Sequence, residues 1–249
     1  MSKIKRVLVS QPAPADPTKS PYYSVAKNND VEIDFKSFIR IEGVDAKTFR
    51  KQRVDILSYS AIVLTSKYAI DHFFRLCNEL RVSVPETMKY FCISESVAVY
   101  LQKYVVYRKR KVFFGAGKFN ELTDIMKKHK EEKYLVPLSG AHNDEIPEQL
   151  AASNLDYKIA IFYNTVSSDL SDTDITKYDM LIFFSPQGIA SLNQNFPDFK
   201  QGEVAIGAFG PLAAKAVSDA GLRLDVAPTP ETPSMAAAVD AYIKKVNAE

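Results

Sequence analysis

The sequence predicts an α/β protein with two doubly wound parallel-sheet domains, and three observations support this fold class. Short apolar runs alternate with helical patterns along the chain, whose 249 residues suffice for two domains of roughly 100–150 residues. Several runs are continuously apolar, as expected of parallel strands covered by helices on both faces. A pattern that begins near residue 60 also returns near residue 179, and so long a repeat indicates two similar domains.

The repeat begins with a buried strand, a tight turn and an amphipathic helix. Residues 60–74 and 179–192 share this pattern, and Ser185 takes the position that Ser66 takes in the first copy. The following units correspond as well, since 90–101 resembles 204–214 and 111–115 resembles 223–227. Each copy therefore supplies three βα units and lacks two strands of a sheet of about five.

The individual elements follow from the same patterns. Ten segments are predicted to be strands: 7–10, 32–38, 61–65, 90–93, 112–114, 134–138, 158–162, 180–184, 204–206 and 224–227. Helical patterns fill most of the gaps: 69–79, 96–104, 118–129, 143–154, 188–194, 211–220 and 234–246. Asn143, Asp144 and Pro211 suit helix starts, and Gly221 suits a helix end.

The two missing strands of each copy predict discontinuous domains. Residues 7–10 and 135–139 resemble each other, and each precedes a helix-sized gap and a further strand. We therefore expect one domain from residues 1–37 and 167–249, a second from 41–162, and linkers near 36–42 and 161–167. Two linkers form a hinge that limits the direction of domain rotation, and two similar domains facing each other make a cleft.

Composition excludes several classes of function. The net charge of +2 gives no general case for nucleic-acid binding, and the basic runs 108–111 and 127–130 are interpreted as solvated faces. No apolar run approaches the roughly 20 residues of a membrane span. The first apolar run is too short for a signal peptide, so we expect a cytoplasmic protein. Cys77 and Cys92 are expected to be buried free thiols.

The sequence predicts no cofactor and no metal. His72, His129 and His142 lie apart without the spacing of zinc ligands. Gly115-Ala-Gly117 lacks the third glycine of a dinucleotide site. A glycine-rich Lys-Ser/Thr loop and a Gly-x-Ser-x-Gly elbow are both absent, which argues against nucleotide hydrolysis and against hydrolases of that class.

Small polar residues and glycines follow several predicted strands. Ligands of open α/β sheets bind at the carboxyl ends of the strands. Small residues there let backbone N–H groups approach carboxylates, and helix N-termini favour anions. The candidate binding residues are Thr65, Ser66, Ser139, Gly140, Ser185, Gly188 and Gly207. Ordinary turns also require Ser and Gly, so turn chemistry is the alternative explanation for each residue singly.

Six short fragments, in order, carry a resemblance to a known enzyme family. They are Val7-Leu-Val-Ser-Gln-Pro12, Leu64-Thr-Ser66, Tyr163-Asn-Thr165, Phe184-Ser-Pro-Gln-Gly188, Ala205-Ile-Gly207 and Pro228-Thr-Pro-Glu231. Their order and spacing resemble those of the uroporphyrinogen-III synthase family, and the resemblance spans the chain. It implies two flavodoxin-like domains joined by a two-stranded linker, without metal or cofactor.

The resemblance also implies a substrate and a catalytic residue. The substrate is hydroxymethylbilane, a linear tetrapyrrole that the enzyme closes with ring D inverted and with loss of water. Separately from the resemblance, we expect a monomer. Tyr163 matches the tyrosine of the family with the greatest functional importance, and Thr165 is carried over as a binding residue. A phenol of pKa about 10 stays protonated at pH 7, so Tyr163 can donate a proton to the leaving hydroxyl. Plain packing at a hinge is the alternative for one of 13 tyrosines.

Three positions depart from the family pattern. The family usually has a threonine after the Ile-Gly turn of each domain, and Val97 and Gly210 occupy these positions here. Tyr68 stands where an arginine is common after the first Thr-Ser turn. These losses leave open a second hypothesis, a cytoplasmic two-domain ligand-binding or regulatory protein derived from the synthase fold. Formation of the type III rather than the type I isomer from hydroxymethylbilane distinguishes the two.

Overall fold

The chain divides into two compact units in a computed structural model that describes residues 3–248. Among these residues, unit 1 contains 3–40 and 166–248, and unit 2 contains 41–165. The chain therefore passes between the units twice, after Arg40 and after Thr165.

Strands and helices alternate through both units. The described residues contain ten strands: β1 (Arg6–Val9), β2 (Glu32–Phe35), β3 (Ile39–Gly43), β4 (Ala61–Leu64), β5 (Lys89–Cys92), β6 (Val112–Phe114), β7 (Lys133–Ser139), β8 (Asp156–Ser167), β9 (Met180–Phe183) and β10 (Ala205–Ala208). They also contain nine α-helices: α1 (Pro21–Asn29), α2 (Ala46–Arg50), α3 (Lys67–Leu80), α4 (Glu95–Leu101), α5 (Phe119–Lys127), α6 (Glu145–Ala151), α7 (Pro186–Asn195), α8 (Pro211–Asp219) and α9 (Met235–Ala248).

Unit 1 has a four-stranded sheet in the order β10-β9-β1-β2, and its pairings are parallel. Val7 and Val9 face a core that includes α1 and α9, whereas Leu8 faces a core that includes α7 and α8. Both faces are thus covered, which explains why the strands are continuously apolar. Strand β1 lies beside β9 in this sheet and not beside β4.

Unit 2 has a six-stranded sheet in the order β3-β8-β7-β4-β5-β6. The pairings from β8 to β6 are parallel. Ile62 and Leu64 pack towards α2, α3 and α4, and Ala61 and Val63 pack towards α5 and α6. The predicted fold class, α/β with parallel sheets covered by helices, is confirmed.

Each sheet differs by one strand from the expected number of about five, with four in unit 1 and six in unit 2. Predicted strand 224–227 forms only one bridge, between Val226 and Gly207. Pro228 follows it and has no N–H to extend a ladder. Predicted strand 32–38 ends at Phe35, and β3 then joins the other sheet beside β8. The sheet of unit 2 therefore contains one strand more than five, and the sheet of unit 1 contains one strand fewer.

Serines at equivalent positions of the repeat start equivalent helices. Ser66 Oγ accepts a hydrogen bond from the Ala69 N–H at 3.0 Å, and Ser185 Oγ accepts one from the Gly188 N–H at 3.3 Å. Each satisfies one of the N–H groups that a helix start leaves unpaired. The short helix α2 was not foreseen. Asp45 caps it, and the buried ring of Phe49 anchors it.

Ser191 provides a stability prediction for unit 1. Its hydroxyl is fully buried and donates to the Phe38 carbonyl at 2.5 Å, and that carbonyl also accepts from the Ser168 N–H. We expect Ser191→Ala to lower the free energy of unfolding by only about 1 kcal/mol, because the carbonyl keeps one partner. Urea denaturation measures the change, with the exposed Ser218→Ala as the control. A loss above about 3 kcal/mol would contradict this account.

Two further observations bear on the classes of function considered above. No helix within residues 3–248 is long and apolar enough to cross a membrane. In the same part of the chain, His, Cys, Asp and Glu side chains form no group of three that could hold a metal ion. Cys77 and Cys92 are both buried free thiols.

Candidate functional site

The candidate residues of unit 2 gather at the carboxyl ends of three neighbouring strands. Thr65 and Ser66 follow β4, Ser139 ends β7, and Tyr163 and Thr165 lie in the last part of β8. The sheet order places β8, β7 and β4 side by side. The structure thus brings together residues that are up to 100 positions apart in the sequence.

Tyr163 is the centre of this group. Its side chain is 7% exposed, and its hydroxyl lies 3.3 Å from Ser66 Oγ. Burial raises the pKa of Tyr163, and the smaller effect of the Ser66 hydrogen bond lowers it. The phenol is therefore neutral at pH 7 and carries a proton that it can donate.

A β-bulge sets the direction of the Tyr163 side chain. Leu138 pairs with Ile161, but the next residue of β7, Ser139, pairs with Tyr163, so Phe162 is an extra residue in β8. Adjacent strand residues ordinarily face opposite sides. Here both Phe162 and Tyr163 pack in the core that contains α3. Bulges often re-aim a side chain in this way near functional sites.

His72 on α3 stacks against the Tyr163 ring, with centroids 5.3 Å apart and planes 20° apart. Arg75 Nε donates to His72 Nδ1 at 3.2 Å, so His72 carries its hydrogen on Nε2. Burial lowers the pKa of His72, and the Arg75 charge adds to this, while Asp71 opposes it. A neutral imidazole thus supports the phenol.

Arg75 is itself fixed, which makes the stack a rigid support. Its guanidinium donates to the Val44 carbonyl at 2.6 Å and forms an ion pair with Glu79. The sequence analysis considered His72 only as a metal ligand. The sequence holds no signal for this role, because the stack depends on how α3 packs against β8.

Gly140 and Asn164 form the neighbouring part of the site. The Gly140 N–H donates to the Tyr163 carbonyl at 3.0 Å. A Cβ at residue 140 would overlap Asn164 Oδ1, so glycine is required for the amide of Asn164 to lie here. Ser139 Oγ accepts a hydrogen bond from the Ala141 N–H and stabilises the same turn. Asn164 was not among the predicted site residues, although it lies between two that were.

In unit 1, Ser185 and Gly188 lie at the carboxyl end of β9, and Ser10 directly follows the adjacent strand β1. Gly188 is buried, and a Cβ there would lie 3.7 Å from Ser10 Oγ. Gly207 differs from these residues because it lies inside β10. A Cβ at Gly207 would overlap the side chains of Met235 and Ile182, so core packing by itself accounts for this glycine.

The three departures from the family pattern have different surroundings. Val97 is buried in the core of unit 2, where it contributes packing. Gly210 precedes α8 with a φ of +85°, a conformation that favours glycine. Tyr68 is 55% exposed at the start of α3.

Comparisons with known proteins agree with this architecture. A Helicobacter pylori uroporphyrinogen-III synthetase is 14% identical with a TM-score of 0.58, over 97% of this chain and all of that one. A mutant uroporphyrinogen III synthase from Thermus thermophilus is 13% identical with a TM-score of 0.53, over 98% of this chain and all of that one. At such identities the similarity shows the fold.

Sequence comparison shows more than the fold. No curated protein sequence matches this chain. The family described as uroporphyrinogen-III synthase HemD, however, matches residues 23–240, which include the candidate residues of both units. The chain therefore belongs to the uroporphyrinogen-III synthase family.

Proposed function

We propose that this protein is a uroporphyrinogen-III synthase, a hydro-lyase that cyclises hydroxymethylbilane with inversion of ring D and loss of water. Membership of the family supports the reaction. The observation that carries the mechanism is the placement of Tyr163, a buried neutral phenol beside Ser66 at the carboxyl ends of the strands.

Tyr163 acts as the general acid in this proposal. Its phenol proton passes to the hydroxyl of hydroxymethylbilane as the carbon–oxygen bond breaks, and the hydroxyl leaves as water. The substituted carbon of ring D then attacks, a spiro intermediate forms, and the ring closes with ring D inverted. A proton released on closure returns the phenolate to phenol, so the enzyme ends unchanged. His72 and Ser66 hold the phenol in place during these steps.

Backbone donors bind the carboxylates of the substrate. The first N–H groups of a helix lack partners within the helix, and the helix dipole adds partial positive charge there. Helix α3 begins beside Ser66, and α7 begins after Ser185. Thr65, Ser139, Gly140 and Thr165 complete the proposed binding set in unit 2, and Gly188 and Gly207 in unit 1. The binding role of Gly207 would be confined to its backbone, since the residue is buried in β10.

We also propose that the enzyme works as a cytoplasmic monomer. Tyr163, Ser66, His72 and Gly140 all belong to unit 2 of one chain, so the acid and its supports need no second copy. Turnover per chain should then stay constant as the enzyme is diluted.

The isomer assay tests the proposal directly. Purified protein is mixed with hydroxymethylbilane, the products are oxidised to porphyrins, and the type I and type III isomers are separated by chromatography. We expect type III to predominate, because uncatalysed closure proceeds without inversion and gives type I. Type I at the uncatalysed rate would contradict the proposal and favour the ligand-binding hypothesis.

Binding by backbone donors makes a prediction about the cations near the site. Lys67 is the first residue of α3 and is exposed beside Ser66. We expect Lys67→Ala to change substrate affinity by about 1 kcal/mol or less, as for other exposed charges. The dissociation constant of a non-reacting bilane analogue measures this, with Lys200→Ala as the control. Abolished binding with an intact fold would show that one cation dominates.

A further inference from the structure

A pocket lies in unit 2 at the amino ends of β5 and β6, with a volume of about 390 Å³. Small-molecule sites usually have volumes of about 300–1,000 Å³. Its apolar wall contains Phe74, Cys77, Met88, Tyr90, Tyr104 and Val112. Tyr90 and Val112 stand at the beginnings of their strands, whereas the candidate active site lies at the carboxyl ends. The pocket is therefore separate from that site.

One side of the pocket is a fixed aromatic surface. The Tyr104 ring stacks on Phe74 with centroids 4.5 Å apart and planes 3° apart. The Tyr104 hydroxyl donates to Asp71 Oδ1 at 2.6 Å, and the same carboxylate accepts from Tyr100. Tyr104 is thus held in place although it is 41% exposed. A flat ring in a fixed position favours stacking by another flat ring.

Tyr90 supplies an unused hydrogen-bond donor. Its side chain is 5% exposed and lines the pocket, yet its hydroxyl has no hydrogen-bond partner among residues 3–248. Burial raises the pKa of Tyr90, so the hydroxyl keeps its proton. The hydroxyl oxygen itself reaches solvent in the pocket, where an acceptor atom of a ligand can take its hydrogen bond.

The rim of the pocket is positively charged. Arg108 and Lys111 line it, and Lys109 and Arg110 are exposed between them. Among the described residues, Glu86 is the one carboxylate that lines this pocket; it lies 3.6 Å from Arg108, and its side chain is 87% exposed. Lys111 donates to the backbone carbonyl of Glu86. So exposed an ion pair is weak, and an incoming anion can replace it.

We propose that this pocket binds a small aromatic acid. Its flat ring stacks on the Tyr104 ring, whose other face is covered by Phe74, its anionic group is bound by Arg108 and Lys111, and a polar atom accepts the Tyr90 hydrogen bond. The pocket would then be a second ligand site, independent of the cyclisation chemistry proposed above.

The probe for this site is 8-anilinonaphthalene-1-sulfonate, a fluorescent aromatic sulfonate, titrated into the protein by calorimetry and by fluorescence. We expect one bound probe per chain. Arg108→Glu should weaken binding at least about tenfold, as loss of a charged hydrogen bond does, and Tyr90→Phe by roughly 2–10-fold. Arg50→Glu changes an exposed arginine on α2 in the same way and should leave the affinity unchanged. The uncharged analogue 1-anilinonaphthalene should bind at least about tenfold more weakly.

Four outcomes would overturn the proposal. Equal affinity for the charged and uncharged probes would mean that the probe binds through apolar contacts alone. Equal weakening by Arg108→Glu and Arg50→Glu would mean a general charge effect. Weakening by Ser66→Ala would place the probe at the candidate active site. Tighter binding of a glutamate-rich peptide that contains phenylalanine, lost in Arg108→Glu, would make this face a protein-docking surface. Thermal unfolding checks each variant, and Arg108→Gln replaces Arg108→Glu if the latter does not fold.

Discussion

Tyr163→Phe is expected to lower the turnover of hydroxymethylbilane by about 100-fold. General acids contribute roughly 10²–10⁴-fold, and the lower end applies because the hydroxyl leaves easily and a water can donate in place of the phenol. The ring remains, so its stack on His72 is kept. Among residues 3–248, the only hydrogen bond lost is the 3.3 Å contact with Ser66, which costs about 1 kcal/mol or less of stability and of substrate binding.

Single-turnover kinetics measure this change, and Tyr157→Phe is the matched control. Tyr157 lies in the same strand β8, at its other end, and is half-buried. Tyr157→Phe should turn over hydroxymethylbilane at the wild-type rate. Turnover of Tyr163→Phe within about twofold of wild type would leave Tyr163 as a packing residue. A large loss of turnover with an equal loss of thermal stability would make the effect structural.

The pH dependence of the wild type gives a second test of the same residue. Burial raises the pKa of Tyr163 above its usual value near 10, so the proton-donating form persists to higher pH than for a free phenol. Turnover should therefore not fall between pH 7 and 9 because of this residue. A fall over that range that Tyr163→Phe abolishes would show that the phenol loses its proton near neutrality.

Phe162→Ala is expected to lower the free energy of unfolding of unit 2 by about 3–5 kcal/mol, the usual range for a buried phenylalanine. Phe162 is fully buried. Its ring contacts Phe49 at a centroid distance of 4.8 Å and Phe73 at 5.9 Å. The cavity left by its removal is bordered by two helices and a strand, which limits how far the core can collapse.

Urea denaturation with a probe in unit 2 measures the loss. Phe114→Ala removes the same side chain at a position that is 38% exposed, and it should cost less than half as much. A loss below about 1.5 kcal/mol for Phe162→Ala would show that the core repacks around the gap. Adjacent substitutions in one strand would thus affect different properties, folding at Phe162 and catalysis at Tyr163.

Local rules account for the features that the sequence alone determined. Apolar runs and helical periodicity located nine of the ten strands within about five residues; β3 was not among the predicted strands, and predicted strand 224–227 forms only a bridge. The repeat placed Ser66 and Ser185 at equivalent helix starts, because a cap needs only a hydroxyl three residues before the N–H that it accepts. The family could also be identified from the sequence, because the resemblance depends on the order and spacing of short fragments along the chain.

The tertiary structure alone decided how the candidate site is assembled. The β-bulge at Phe162 turns Tyr163 towards α3, and this bulge forms because β8 pairs with β7 in a shifted register. His72 meets Tyr163 from a helix 91 positions earlier in the chain, and Asn164 occupies the space that Gly140 leaves. Contacts between segments so far apart depend on strand register and helix packing, which no local pattern of residues specifies.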